Sequence, residues 1–291
     1  NTLTEPRKKL FREATMWQNL RHPYILPFIG IDSETLHPHL CMVSPWMDGT
    51  VLDHLEKNGR DEVDSMLFKI AQGLEYLHLQ GVVHGDLRGS NILVNRDWDP
   101  CLADFGLSRY SDASLPPSQR AGSTRWMAPE LLDPERFGVE FIPTNASDVY
   151  AFGCVCLELY TLQHPFAEIA RDVGVMWKIH EGMRPERPTE HPLMTDTLWH
   201  HVTSYLGEIA VTRPSAENVV RHMAQIAAES GEAEGKKGKE EDTDGPNMQA
   251  SSSANSGGLL EGLSDQRRSP AAAPLQAPML HYTTIPPTFT G

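Results

Sequence analysis

The segment His84-Gly85-Asp86-Leu87-Arg88-Gly89-Ser90-Asn91 is followed, thirteen residues on, by Asp104-Phe105-Gly106. It holds an aspartate, an asparagine five residues later, and a second aspartate on a Phe-Gly turn. Between them Ile92-Leu93-Val94 is a short apolar run that reads as a strand. Three oxygen-bearing side chains therefore flank one hairpin-like unit and can converge. That set suits phosphoryl transfer, where the protein does little covalent chemistry. One carboxylate orients a hydroxyl, while an amide and a second carboxylate hold a hard divalent cation on phosphate oxygens.

The bulk properties are compatible with that reading. A chain of 291 residues has room for one large domain or two smaller ones and a sizeable core. Its formal net charge of -14 argues against nucleic acid or an acidic membrane as the main partner. Cys41, Cys101, Cys154 and Cys156 all sit in apolar runs without metal-ligand spacing, as expected of buried, reduced thiols in an intracellular, cytoplasmic protein. The longest apolar run, Val149 to Leu162, is broken by Glu158, so no membrane span is expected. The chain opens on Asn1 and a polar, basic segment rather than on Met or a signal peptide, and it reads as a fragment.

Working outward, residues 7 to 20 place Leu10, Ala14, Trp17 and Leu20 on one helical face, with Glu13 beside it. His22-Pro23 ends that helix, and Tyr24 to Ile31 and then Leu40 to Ser44 read as strands. Pro45-Trp46-Met47-Asp48-Gly49 breaks regularity. Val51 to Leu55 and Val63 to Leu79 read as helices, the second with a buried stripe of Met66, Leu67, Ile70, Leu74 and Leu77 and a stop at Gly81. Ser108 to Thr124 is a long polar loop ending in Gly122-Ser123-Thr124-Arg125-Trp126-Met127-Ala128-Pro129-Glu130. Ala146 to Leu162 is apolar nearly all round and so reads as a buried helix, and Arg213-Pro214-Ser215-Ala216 precedes the last amphipathic one. From Ala228 the chain becomes charge-mixed, then Ser/Gly-rich, then proline-rich, with too little apolar surface to offset chain entropy. Residues 228–291 are therefore expected to be a disordered tail behind a domain spanning residues 1–227.

The catalytic-type loop, the Asp-Phe-Gly turn and the Ala128-Pro129-Glu130 close together resemble the protein kinases, and best the tyrosine-kinase-like group of serine/threonine kinases. The resemblance runs from residue 7 to 227 through six motifs in order. They are the helix glutamate Glu13, the hinge, the loop of Asp86, the turn of Asp104, the Glu130 close, and the central-helix Asp148 with the distal Arg213. It implies an α+β kinase fold, with a mainly helical large lobe and an incomplete small-lobe sheet. The implied activity is transfer of the ATP γ-phosphate to Ser or Thr hydroxyls of protein substrates, with Tyr as the alternative acceptor, and with ATP and magnesium bound.

Roles follow from the resemblance. Asp86 orients the substrate hydroxyl, Arg88 neutralises the transferred phosphate, and Asn91 and Asp104 hold magnesium. Glu13 stands at the position of the helix glutamate whose partner is a strand lysine. Pro45 and Met47 offer hinge backbone groups to adenine, and Ser44 gates the back of the pocket. His84 packs against Phe105, Asp148 anchors the catalytic loop, and Arg213 pairs with Glu130. Ser123 favours the serine/threonine type, whereas Arg88 replaces the usual lysine and gives a tyrosine-kinase flavour.

Two departures qualify the match. Gly85 replaces the arginine that normally meets a phosphate on the activation loop, so phosphorylation at Ser114 or Ser118 is not expected to be the on-switch. No glycine-rich phosphate loop or strand lysine precedes Arg7, which raises a non-catalytic, pseudokinase-like interaction module as an alternative. A small-molecule phosphotransferase of the aminoglycoside or choline type shares His-Gly-Asp. It does not account for Asp104-Phe105-Gly106, Ala128-Pro129-Glu130 and Arg213.

Overall fold

A computed structural model describes residues 14–35, 37, 40–105, 124–189 and 194–230, together with the backbone of residues 231–240 and 280–284. Residues 14–17 are helical, and Ala14, Trp17 and Leu20 are buried as their spacing requires. Glu13 and Leu10 lie outside the described residues. The expected strand from Tyr24 to Ile31 forms only at its end, as β1 (Gly30–Asp32). Pro23 and Pro27 lack the N–H groups that a ladder needs. The intervening backbone instead bonds to a different strand: Leu26 N–H donates to Leu102 O, and Leu102 N–H to Tyr24 O, each at 2.9 Å.

β2 (Cys41–Pro45) lies between β1 and a third strand, β5 (Leu280–Thr284), in an antiparallel sheet of order β1-β2-β5. After β2 the chain is stitched to β3 (Ile92–Val94): Asp48 N–H donates to Val94 O and Val94 N–H to Gly49 O, both at 2.9 Å. β3 pairs with β4 (Pro100–Leu102) in a two-stranded hairpin. The expected Ile92-Leu93-Val94 strand is thus present, and its hairpin sits beside the linker that follows β2.

The rest is helical. α1 (Val51–Asn58) begins with a capping box between Thr50 and Asp53. α2 (Val63–Leu79) buries Met66, Leu67, Ile70, Leu74 and Leu77, the stripe legible in its sequence. Then follow α3 (Pro129–Leu132), α4 (Pro134–Phe137), α5 (Asn145–Thr161), α6 (Asp172–His180), α7 (Asp196–Tyr205) and α8 (Ala216–Glu240). α5 starts on a Thr144–Ser147 capping box and is buried from Ser147 to Tyr160. It carries charged side chains at two buried positions, Asp148 and Glu158, which have specific partners. α8 packs against α2 and runs to Glu240, so the domain boundary expected at residue 227 falls inside a helix. β5 likewise gives regular backbone to five residues of the stretch expected to be disordered, and the remainder of that stretch lies outside the described residues.

All four cysteines are free and buried, and burial pushes the Cys101 thiol up to about 12. Among the described residues no helix is long and apolar enough to cross a membrane.

One buried ion pair ties α3 to the segment before α8. Arg213 Nη1 and Nη2 donate to Glu130 Oε1 and Oε2, both at 2.7 Å, with Arg213 also 5.1 Å from the Tyr150 ring centre. Removing one partner strands a desolvated charge. Arg213→Ala is expected to lower unfolding free energy by about 3–5 kcal/mol. Adding Glu130→Ala to that variant should recover part of the loss, as measured by urea denaturation.

Candidate active site

The loop from His84 to Asn91 has few side-chain anchors of its own and takes its shape from outside. Asp148, 1% exposed at the start of α5, accepts the His84 N–H on Oδ2 and the Gly85 N–H on Oδ1, both at 2.8 Å. Its Oδ2 also meets His78 Nε2 at 2.8 Å, which joins the end of α2 to the same carboxylate. Gly85 sits at φ +76°, a left-handed conformation that a side chain would strain, and this gives glycine at that position a backbone reason. His84 is fully buried, and desolvation lowers its pKa, so it is neutral. Its Nδ1 accepts the Asp86 N–H at 3.3 Å, which places the ring proton on Nε2.

Asn91 closes the loop. Its Nδ2 donates to the Asp86 carbonyl at 2.8 Å and to Asp86 Oδ2 at 3.0 Å. With the amide nitrogen so committed, Oδ1 is left as the acceptor end. The Asn91 carbonyl accepts the Ala103 N–H at 2.9 Å, which brings Asp104 next to Asn91. Asp104 is exposed at φ +54°, a costly conformation for a residue with a Cβ and one that concentrates at functional sites. Phe105 behind it is buried, edge-on to Trp17 with ring centres at 5.8 Å and to His84 at 6.2 Å. Asp86, Asn91 and Asp104 are therefore brought together. Two of them, Asn91 Oδ1 and the Asp104 carboxylate, are hard oxygen donors of the kind that suit magnesium shared with phosphate.

The other expected site residues distribute as follows. Ser44 is 2% exposed, with its hydroxyl 3.4 Å from the Pro45 carbonyl. Pro45 ends β2, and Met47 packs against the core where the linker meets β3. Arg88 lies with its guanidinium carbon 5.7 Å from the Trp126 ring centre, at the root of the loop. Gly106 to Ser123, including Ser114, Ser118 and Ser123, lie outside the described residues, as does Glu13.

Comparison with known proteins decides the family. The chain matches the protein kinase domain model over residues 1–224. This chain belongs to the protein kinase family. Among curated relatives, the serine/threonine-protein kinase CTR1 of Arabidopsis thaliana is 37% identical over 196 residues, covering 62% of this chain and 23% of that protein. The serine/threonine-protein kinase STY46 of the same plant is 29% identical over 245 residues, covering 81% and 40%. The probable serine/threonine-protein kinase drkB of Dictyostelium discoideum is 31% identical over 226 residues, covering 75% and 31%. The chain thus spans less than half the length of these relatives.

Two residues of this kinase domain carry more of the site than their sequence suggested. Arg125 is buried and donates to Phe166 O and Ile169 O at 2.7 Å, to Pro165 O at 3.1 Å and to Asp172 Oδ1 at 2.9 Å. It fixes the Thr124–Trp126 turn to the segment before α6 and to its first residue. Glu158, the residue that interrupts the apolar run of α5, is 4% exposed. Its Oε2 accepts both the Gly89 N–H at 2.8 Å and the Trp126 Nε1–H at 2.9 Å, clamping the His84–Asn91 loop to the Thr124–Trp126 turn that also carries Arg125. A charged residue inside an otherwise apolar helix was the available signal. Gly89 matches it in size, because a Cβ there would come within 2.8 Å of Leu52 and 3.0 Å of the Glu158 carboxyl carbon.

Burial outweighs the two N–H donors and the charge of Arg88, and raises the Glu158 pKa to about 7 from an ordinary 4.5. The folded protein then holds a proton between those values that the unfolded chain has released. Glu158 accordingly contributes stability that is full below pH 4.5 and lost as pH rises to about 7, with a span on the order of 3 kcal/mol. Glu158→Gln should remove this slope. Subtracting its urea-unfolding profile from that of the parent between pH 4.5 and 8 should show the decline, and parallel profiles would contradict it.

Proposed function

We propose that the chain is the catalytic part of a serine/threonine protein kinase, transferring the γ-phosphate of ATP to hydroxyls of protein substrates. The single observation that carries this reading is the Asp86–Asn91 contact. The asparagine Nδ2 donates to both the carbonyl and the carboxylate of the aspartate, and its amide oxygen, met by the Ser90 hydroxyl at the long distance of 3.5 Å, faces away from them as an acceptor for a cation. The named serine/threonine kinases among its relatives support the same reaction class.

In this reading the Asp86 carboxylate accepts and orients the substrate hydroxyl. Asn91 restrains its Oδ2, so one oxygen geometry is selected before substrate arrives. Asn91 Oδ1 and Asp104 hold magnesium, which when bound supplies positive charge to the phosphate oxygens. Pro45 and Met47 present backbone groups to adenine, and the stitching of residues 48–49 to β3 keeps that linker at a set distance from Asn91. Arg88 supplies positive charge near the transferred phosphate, and its lean over Trp126 ties that charge to the substrate-binding end of the loop. Glu13, by family position, completes the nucleotide site with a strand lysine.

Asp86→Asn keeps an acceptor for Asn91 but removes the charge that a hydroxyl proton needs. Transfer of labelled phosphate from ATP and magnesium to casein should fall by about 10²–10⁴-fold. The unfolding midpoint should stay within a degree or two. Undiminished transfer by the variant would refute the assignment. Phosphoamino-acid analysis of the product should give phosphoserine and phosphothreonine.

A further inference from the structure

We infer that the groove between the segment after α4 and the turn before α8 is a docking site, and that its occupant is a partner segment carrying aliphatic side chains beside a lysine or arginine. The groove has a volume of about 600 Å³, lined by Phe137, Val139 and Ile142 from the first segment and by Ile209 and Val211 from the second. Val139, Ile142 and Ile209 are each 48% exposed, and Val211 is 90% exposed. Single hydrophobic side chains scattered over a surface are ordinary. Four large aliphatic ones lining one concavity mark a contact surface.

Both walls are held before any partner arrives. α4 ends in a cap at Gly138, whose N–H donates to Glu135 O at 3.2 Å, and the Val139 N–H donates to Pro134 O at 3.1 Å. In the second segment Thr212 N–H donates to Ile209 O at 3.0 Å and Arg213 Nε to Gly207 O at 2.8 Å. Arg213 also binds Glu130 and donates to the Ala146 carbonyl at 3.0 Å. Residues 130 and 146 flank the stretch that supplies Phe137, Val139 and Ile142, so one side chain ties the second wall to both ends of the first. A groove formed in advance loses less of its contact free energy to ordering.

Charge selects the occupant. Two carboxylates line the groove, Glu130 and Glu140, and no lysine or arginine does. Glu130 is neutralised by Arg213, whereas Glu140 is exposed and has no ion-pair partner among the described residues. Arg136, 5.2 Å from the centre of the Phe137 ring, is already paired with Glu208. A cation set next to aliphatic side chains is therefore the complement of this surface. The formal net charge of -14 draws such a segment in. A second copy of the chain fits worse, because in a two-fold contact the patch faces itself and brings two Glu140 side chains together. None of these residues is assigned above to nucleotide, magnesium or the substrate hydroxyl, so the docking does not rest on the kinase reaction.

A phage-displayed library of random peptides, selected on the full chain at low ionic strength, supplies the probe. Synthesised winners are titrated by calorimetry, without nucleotide, into the parent, into Ile142→Asp with Val211→Asp, and into Glu140→Lys. Winners should carry two aliphatic residues next to Lys or Arg. They should bind the double variant at least about tenfold more weakly and Glu140→Lys about three- to tenfold more weakly. The salt dependence of binding to the parent should shrink in Glu140→Lys. All three positions are exposed, so the unfolding midpoint should hold, and Glu140→Lys carries the test alone if the double variant does not fold. No enrichment, an acidic consensus, or winners that bind every variant as tightly as the parent would overturn the proposal. A dimer found by sedimentation in the parent and lost in the double variant would make a second copy the occupant, which overturns it as well.

Discussion

One buried carboxylate carries the catalytic loop. Asp148 sits in the first turn of α5 with almost no exposure and spends both oxygens on backbone N–H groups of His84 and Gly85, adding His78 from the end of α2. A loop residue contributes little apolar area, so hydrophobic burial alone cannot select one conformation for it. Charge-assisted hydrogen bonds from a rigid helix can, because they are directional and short. The left-handed backbone at Gly85 lies within that anchored stretch, His84 is kept neutral by burial against the pull of the Asp148 charge, and Asp86 follows on the anchored backbone.

The same helix repeats this solution one face further along. Glu158 holds Gly89 and Trp126, so the His84–Asn91 loop and the Thr124–Trp126 turn hang from a single element. Arg125 and the Arg213–Glu130 pair then fix the segment between Thr124 and α3 to the surrounding helices. α5 can serve as a scaffold because it is apolar nearly all round and buried along most of its length. Its two carboxyl groups each have hydrogen-bond partners, and burial still favours the protonated form of Glu158. Asp86, Asn91 and Asp104 sit in or beside loops, and the loop that holds Asp86 and Asn91 is fixed by hydrogen bonds from a buried helix.

Much of this was legible from residue spacing. The α2 stripe and the buried α5 appear where residue spacing places them, and the Arg213–Glu130 pair forms where the resemblance to protein kinases implied it. The strand expected from Tyr24 is largely absent because Pro23 and Pro27 cannot donate, and its apolar residues pair with β4 instead. Glu158 was legible only as an interruption, since nothing in its neighbours on α5 reveals partners 69 and 32 residues away. Arg125 was hidden for the same reason: three of its acceptors are main-chain carbonyls, which every residue has, and the fourth, Asp172, lies 47 residues away. The C-terminal strand was masked by average composition, because five suitable residues inside a proline-rich tail do not change the character of the whole.

The dependence of the loop on Asp148 is tested most directly by amide hydrogen exchange in Asp148→Asn. An asparagine offers one acceptor oxygen and turns an N–H₂ group toward a second donor, so it cannot hold both backbone N–H groups. The account predicts faster exchange throughout residues 84–91, about tenfold for each 1.4 kcal/mol of lost anchoring, with the core of α2 and α5 keeping its protection. Unchanged exchange at His84 and Gly85 would show that the loop is held by something other than Asp148.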